Sequence, residues 1–128
     1  MVLVSFPAVR RIPVKQYNIP VEATLDVIGG KWKVVILCHL IDNGTKRTNE
    51  LKRLIPEITQ KMLTQQLREL EDDGIIERRV YNQVPPKVEY SLTEYGWSLE
   101  SILTSLCSWG EEHIAQTGDG LKKDPIES

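Results

Sequence analysis

The stretch from Ile55 to Gly74 constrains the fold more than any other part of the chain. Pro56 has no N–H to donate and its ring clashes with a continuing helical turn, so the short helix read over Asn49 to Ile55 must stop there. Thr59 offers a hydroxyl to a new first turn and Gly74 tolerates the left-handed conformation that ends a helix, which brackets a second helix over Gln60 to Asp73. Within it Leu63, Leu67 and Leu70 fall at i, i+4 and i+7 with Met62 beside them, committing one face to a core. Two helices joined by a turn of about four residues, Pro56 to Thr59, make a helix-turn-helix.

The flanking segments extend that unit. Pro20 opens a short amphipathic helix carrying Val21, Leu25, Val27 and Ile28, and Gly29-Gly30 stop it. Lys31 to Leu40 is apolar nearly all round after its first turn, which predicts a helix buried at the centre of the domain. Asp42-Asn43-Gly44 is turn chemistry, Thr45 to Arg47 reads as an edge strand, and Thr48 as an N-cap with Glu50 close behind. Ile75 to Tyr81 and Lys87 to Leu92 read as strands joined by Asn82-Gln83-Val84-Pro85-Pro86. Thr93 is expected to cap one long final helix, in which Tyr95, Leu99, Ile102, Leu106, Trp109 and His113 recur at helical steps and so face a partner.

The fold class predicted is mainly α with a small β-hairpin (α+β): a winged helix-turn-helix with N- and C-terminal dimerisation helices. Residues 1–18, with Pro7 and Pro13 and no helical period, are expected to form a flexible arm, residues 19–117 the domain, and residues 118–128 a disordered tail.

The chain has 128 residues, 41% apolar and 27% charged, the balance of a single soluble globular domain. Its net charge of −2 lacks the basic excess of a non-specific nucleic-acid binder. Between Lys46 and Arg68, however, Lys46, Arg47, Lys52, Arg53, Lys61 and Arg68 outnumber Glu50 and Glu57, and a phosphate senses charge only within a Debye length of about 8–10 Å. Two cysteines, Cys38 and Cys107, cannot build the disulfide framework of a small secreted domain. Arg10-Arg11 follow the apolar start rather than precede it, and no apolar run reaches the ~18–20 residues of a membrane span. A cytoplasmic location without membrane partners is expected.

On the solvent face of the Gln60 to Asp73 helix stand Gln60, Lys61, Thr64, Gln65 and Arg68, none acidic; Glu69, Glu71, Asp72 and Asp73 crowd its C-terminal end. Gln bonds adenine N6 and N7, Arg and Lys bond guanine O6 and N7, and Thr suits a phosphate or a thymine methyl. Double-stranded DNA is therefore the expected partner. Thr48 and Thr59 add hydroxyls at helix starts, and Arg78, Arg79 and Lys87 flank the wing loop. Alternation places Arg78 and Arg79 on opposite strand faces, so at most one of them points readily at a phosphate. Such a polar face also suits a solvated helix or a protein-binding scaffold, but a protein-binding face should offer aromatic or aliphatic anchors, and this one has none.

No catalytic constellation emerges. His39 and His113 read as structural, Cys38 and Cys107 as small core residues, and Gly29-Gly30-Lys31 follows a helix and precedes Trp32, unlike a phosphate loop. No cofactor or metal is expected. A small-molecule effector pocket lined by Trp32, Trp97 or Trp109 is a further possibility, although aromatics at such positions are usually core.

Three blocks stand out: Ile19-Pro20-Val21 with Thr24-Leu25 and Ile28-Gly29-Gly30-Lys31-Trp32; Ile55-Pro56 with Ile58 through Glu71 to Asp73-Gly74; and Pro86 with Val88 through Thr93 and Gly96. In this order they resemble the HxlR-type regulators, a winged-helix family allied to the MarR type. The resemblance covers residues 19–113 and implies a homodimer (self-partner) built from the first and last helices. Val21, Leu25, Leu99, Ile102, Leu106, Trp109 and His113 would lie in its interface, with recognition helices in successive major grooves ~34–36 Å apart. Many members carry a cysteine just before the Pro-Val of the first block; Ile19 stands there in this chain, so sensing through that thiol is not available.

Overall fold

The helix from Lys33 onward puts Lys33, Ile36, Leu37 and Leu40 at i, i+3, i+4 and i+7, and all four are buried. Everything else packs around them. A computed structural model describes residues 14–122, with the elements α1 (Pro20–Ile28), α2 (Trp32–Asn43), β1 (Lys46–Arg47), α3 (Thr48–Leu54), α4 (Gln60–Asp72), β2 (Ile76–Tyr81), β3 (Lys87–Leu92), α5 (Glu94–Trp97) and α6 (Glu100–Thr117). Leu51 of α3, Leu63, Leu67 and Leu70 of α4, Ile76 of β2, Tyr90 of β3 and Leu103 of α6 complete a single core. Each fully buried aliphatic side chain contributes about 1.5–3 kcal/mol of transfer free energy. The winged helix-turn-helix expected from the sequence is the fold found.

α4 begins and ends as its sequence dictates. Thr59 Oγ1 accepts the Met62 N–H at 3.1 Å, and Gly74 adopts φ +74°, a conformation that a Cβ would strain. The strands form one antiparallel sheet in the order β1-β3-β2. Arg78 lies opposite Tyr90 and Arg79 opposite Glu89, which fixes the face each side chain takes.

Two expectations need correction. Thr48 is not the N-cap of α3: Arg47 holds that position, and its N–H donates to Glu50 Oε1 at 2.8 Å. An arginine side chain has no acceptor to return, so only half of the reciprocal box forms. The final helix is also two helices. Thr93 caps the short α5 by accepting the Gly96 N–H at 2.9 Å while its hydroxyl donates to the Gly74 carbonyl at 2.6 Å. The next bonds, Ser98 N–H to Tyr95 O and Leu99 N–H to Gly96 O, reach back three residues rather than four, and the axis resets before α6. Tyr95 thus sits on a different helix from Ile102, and Leu99, partly buried, packs against the core.

The arm and tail assigned to residues 1–18 and 118–128 fall in large part outside the described residues. Where described, Lys15 and Tyr17 both reach Asp26 of α1 at 2.7 Å, the Asn18 N–H donates to Glu22, and Lys122 pairs with Glu57 at 2.7 Å. Among the described residues no helix is long and apolar enough to cross a membrane.

Candidate nucleic-acid interface

Burial of Leu63, Leu67 and Leu70 forces the opposite side of α4 outward, and Gln60, Lys61, Thr64, Gln65 and Arg68 are all exposed. Thr59, whose hydroxyl oxygen accepts the Met62 N–H and can still donate its own proton, is exposed at the same end. The surface carries two cations, two amides and a hydroxyl over the first turns, next to the N-terminal dipole end that also favours anions.

The sheet stands beside this face, and its alternation sorts the wing cations. Arg78 projects from the same side as the buried Ile76 and Tyr90 and, with Thr64, Arg68, Glu71 and Tyr90, lines a cleft of about 330 Å³ between α4 and the sheet. Among the described residues no carboxylate lies within ion-pairing distance of Arg68 or Arg78. Arg79 takes the other side, where it pairs with Glu77 at 3.3 Å; the hydrogen bond that its guanidinium donates to Tyr81, and the nearby Glu77, hold its pKa above the ordinary guanidinium value. Lys87, also on that side, pairs with Glu89 at 3.7 Å and lies 4.9 Å over the Tyr81 ring. The outer sheet face is therefore internally neutralised, whereas the inner face leaves Arg78 unpaired beside α4. At the tip of the wing Val84 is 99% exposed, immediately before Pro85 and Pro86.

Of the remaining basic residues, Arg47 and Arg53 are exposed, Lys46 is half-buried, and Lys52 donates to the Pro56 carbonyl at 3.1 Å. Thr48, half-buried at the start of α3, lies next to Arg47.

Sequence reasoning missed how α4 is held from behind. Lys33 of α2 donates to Glu69 Oε1 at 2.8 Å, and Glu69 also accepts from Gln65 one turn earlier. The Lys33 hydrogen bond is the main reason the Glu69 carboxyl titrates below its usual range. A signal was present: Lys33 occupies an otherwise apolar i, i+3, i+4, i+7 face, and a lysine on a buried face requires a partner.

Several outward side chains of the two terminal helices are apolar. Val21 and Leu25 of α1 and Ile102, Leu106 and Trp109 of α6 are exposed, and His113 stacks on Trp109 with centroids 5.0 Å apart. Tyr95 and Trp97 of α5 are also exposed. Trp32 is half-buried against the core under the Lys31 ammonium, and no tryptophan lines the cleft described above. Of the two cysteines read as core residues, Cys38 is half-buried against the core, whereas Cys107 is exposed on α6, which packs against α2.

A family model for HxlR-like helix-turn-helix proteins matches residues 27–118. The chain belongs to the HxlR-like helix-turn-helix family. This HxlR-like chain is 76% identical over 100 residues to the HTH-type transcriptional regulator YtcD of Bacillus subtilis (strain 168), covering 78% of this chain and 79% of that one. A crystal structure of YtcD superposes with a TM-score of 0.72 at 73% identity over 75% of this chain and 97% of the other. The redox regulator HypR in its oxidised form gives 0.71 at 64% identity over 73% and 96%. A MarR-family regulator from Enterococcus faecalis V583 gives 0.67 at 40% over 83% and 96%. The HxlR-like chain is a transcriptional regulator of the helix-turn-helix type, and its family is one of regulators, not of enzymes.

Proposed function

We propose that this regulator acts in the cytoplasm as a homodimer that reads a palindromic operator, with α4 in the major groove and the wing from Ile76 to Leu92 against the adjacent backbone. The observation that carries the reading is the acid-free, exposed row Gln60, Lys61, Thr64, Gln65 and Arg68, with Arg78, which has no ion-pair partner among the described residues, across the cleft from it. Gln65 and Arg68 suit base edges, Lys61, Thr59 and Thr48 suit phosphates, and Arg78 suits the phosphate backbone between helix and wing. Arg79 and Lys87 serve the wing instead, by neutralising Glu77 and Glu89.

A dimer follows from the exposed apolar surface of α1 and α6. Val21 and Leu25 of α1 and Ile102, Leu106 and Trp109 of α6 are large apolar side chains left exposed, which a partner would cover, and a two-fold axis lets the same surface meet itself. His113 and the exposed rim of Leu99 border it. Two recognition helices would then meet half-sites ~34–36 Å apart.

The test is binding to fragments spanning the regulator's own upstream region, titrated against salt, beside a Gln65→Ala, Arg68→Ala double variant. Selective binding to one palindromic fragment, lost in the folded double variant with about 1–3 kcal/mol of discrimination per contact, is the expected result. A well-folded dimer that binds all fragments equally and weakly, and a variant indistinguishable from it, would remove α4 as the specificity element.

A further inference from the structure

α2 and α6 pack so that Cys38 Sγ and Cys107 Sγ lie 3.9 Å apart, although 69 positions separate them in the chain. Nothing in DNA reading or in the proposed dimer contact uses these thiols. Cys107 stands one helical turn after the buried Leu103, on the α2-facing line of α6 rather than on the line of Ile102, Leu106 and Trp109. It is exposed, while Cys38 is half-buried. A disulfide needs about 2.05 Å between sulfurs, so oxidation has to draw the two sulfurs together by under about 2 Å between helices that already pack against each other.

We propose that Cys38 and Cys107 form an oxidisable dithiol, converted by a hydroperoxide into an intrachain disulfide that ties α6 to α2. Cys107, the accessible thiol, attacks the distal peroxide oxygen; the O–O bond breaks, the alcohol leaves with a proton, and Cys107 becomes a sulfenic acid. Cys38 sulfur then attacks the Cys107 sulfur, the S–OH bond breaks, and hydroxide takes up the Cys38 proton and departs as water. Two thiols and one hydroperoxide thus give one disulfide, one alcohol and one water, the two electrons passing from sulfur to the peroxide oxygens. The order of the two steps follows from exposure, and it agrees with the Cys38 thiol being pushed up to about 12, first by burial and then by Cys107. The site is separate from the first-motif position of the family, which is Ile19 in this chain.

The test treats the full-length protein with tert-butyl hydroperoxide, quenches, and counts free thiols by maleimide labelling and intact mass under denaturing conditions. Reduced protein should take two labels. Oxidised protein should take none, lose two hydrogens, run as a single chain on a non-reducing denaturing gel, yield a peptide pair joined through Cys38 and Cys107, and recover both labels with dithiothreitol. Cys38→Ser should instead hold a dimedone-reactive sulfenic acid at Cys107, and Cys107→Ser should keep a free Cys38. An oxidised wild type that still takes two labels, or whose disulfide joins two chains, overturns the proposal. These readouts need no DNA, so they are independent of whether the operator reading stands.

Discussion

The Lys33 ammonium and the Glu69 carboxylate meet at 2.8 Å between α2 and α4, yet only the lysine is out of water: its side chain is 9% exposed and that of Glu69 43%. The asymmetry decides what breaking the pair does. Removing the carboxylate leaves a buried cation unpaired, whereas removing the lysine leaves a carboxylate that water can still reach. Glu69→Ala should therefore destabilise the fold by about 1–3 kcal/mol. Lys33→Met, which swaps the buried ammonium for an apolar chain of similar length, should cost under about 1.5 kcal/mol. Urea denaturation of both variants checks the order; equal losses would show that the pair is not held asymmetrically.

The same contact sets an acid limb. The Lys33 hydrogen bond holds the folded-state carboxyl of Glu69 below its ordinary value, so its contribution is present above the unfolded value of about 4.3 and is lost as pH falls through the folded one. Glu57, lowered by its hydrogen bond from Lys122, has the same sign but is fully exposed and therefore screened by salt. Unfolding free energy should decline below about pH 4.3, less steeply in Glu69→Gln, and high salt should abolish the Glu57 part while leaving most of the Glu69 part. A Glu69→Gln variant with the wild-type acid limb would contradict this.

Arg78 and Arg79 are chain neighbours with opposite surroundings, the first in the α4 cleft and the second paired with Glu77. If Arg78 neutralises one phosphate, Arg78→Ala should weaken binding similarly on all sequences and reduce the slope of log K against log salt by about 0.9. Arg79→Ala should leave the slope unchanged. Anisotropy titrations at several salt concentrations distinguish the two, and a slope change confined to Arg79 would reverse the assignment.

Leu106 is 49% exposed on a helix whose inner line is anchored by Leu103, so a charge there should spare the protomer fold and harm association. Leu106→Glu is expected to sediment as a monomer with unchanged helical circular dichroism, and to lose operator affinity because two half-sites are no longer read together. A Leu106→Glu protein that remains dimeric would move the interface away from α6.

How much of this was legible beforehand varies with the range of the interaction. The helix-turn-helix, its cap at Thr59, its stop at Gly74 and the inward leucines of α4 were readable, because capping, glycine conformation and helical period act within a few residues. The break between α5 and α6 was not, since the step pattern from Tyr95 to His113 runs on through it. Gly96 has to pass against the Ile75 carbonyl, where a Cβ would collide, and Thr93 is bonded to Gly74 across the start of the sheet. Both constraints come from a segment some twenty positions earlier. The cap of α3 shifted for a similar reason, as Arg47 is also a strand residue paired with Glu89.

The candidate site divides in the same way. By itself the sequence determined the elements of a winged helix-turn-helix, the acid-free face of α4 and the fact that only one of Arg78 and Arg79 can point toward a given side, since these follow from backbone periodicity. Which arginine that is, that Lys33 braces α4 through Glu69, and that Cys38 and Cys107 share a contact were decided only by the tertiary structure. Strand register and helix packing join residues tens of positions apart, and no local preference encodes which of them will meet.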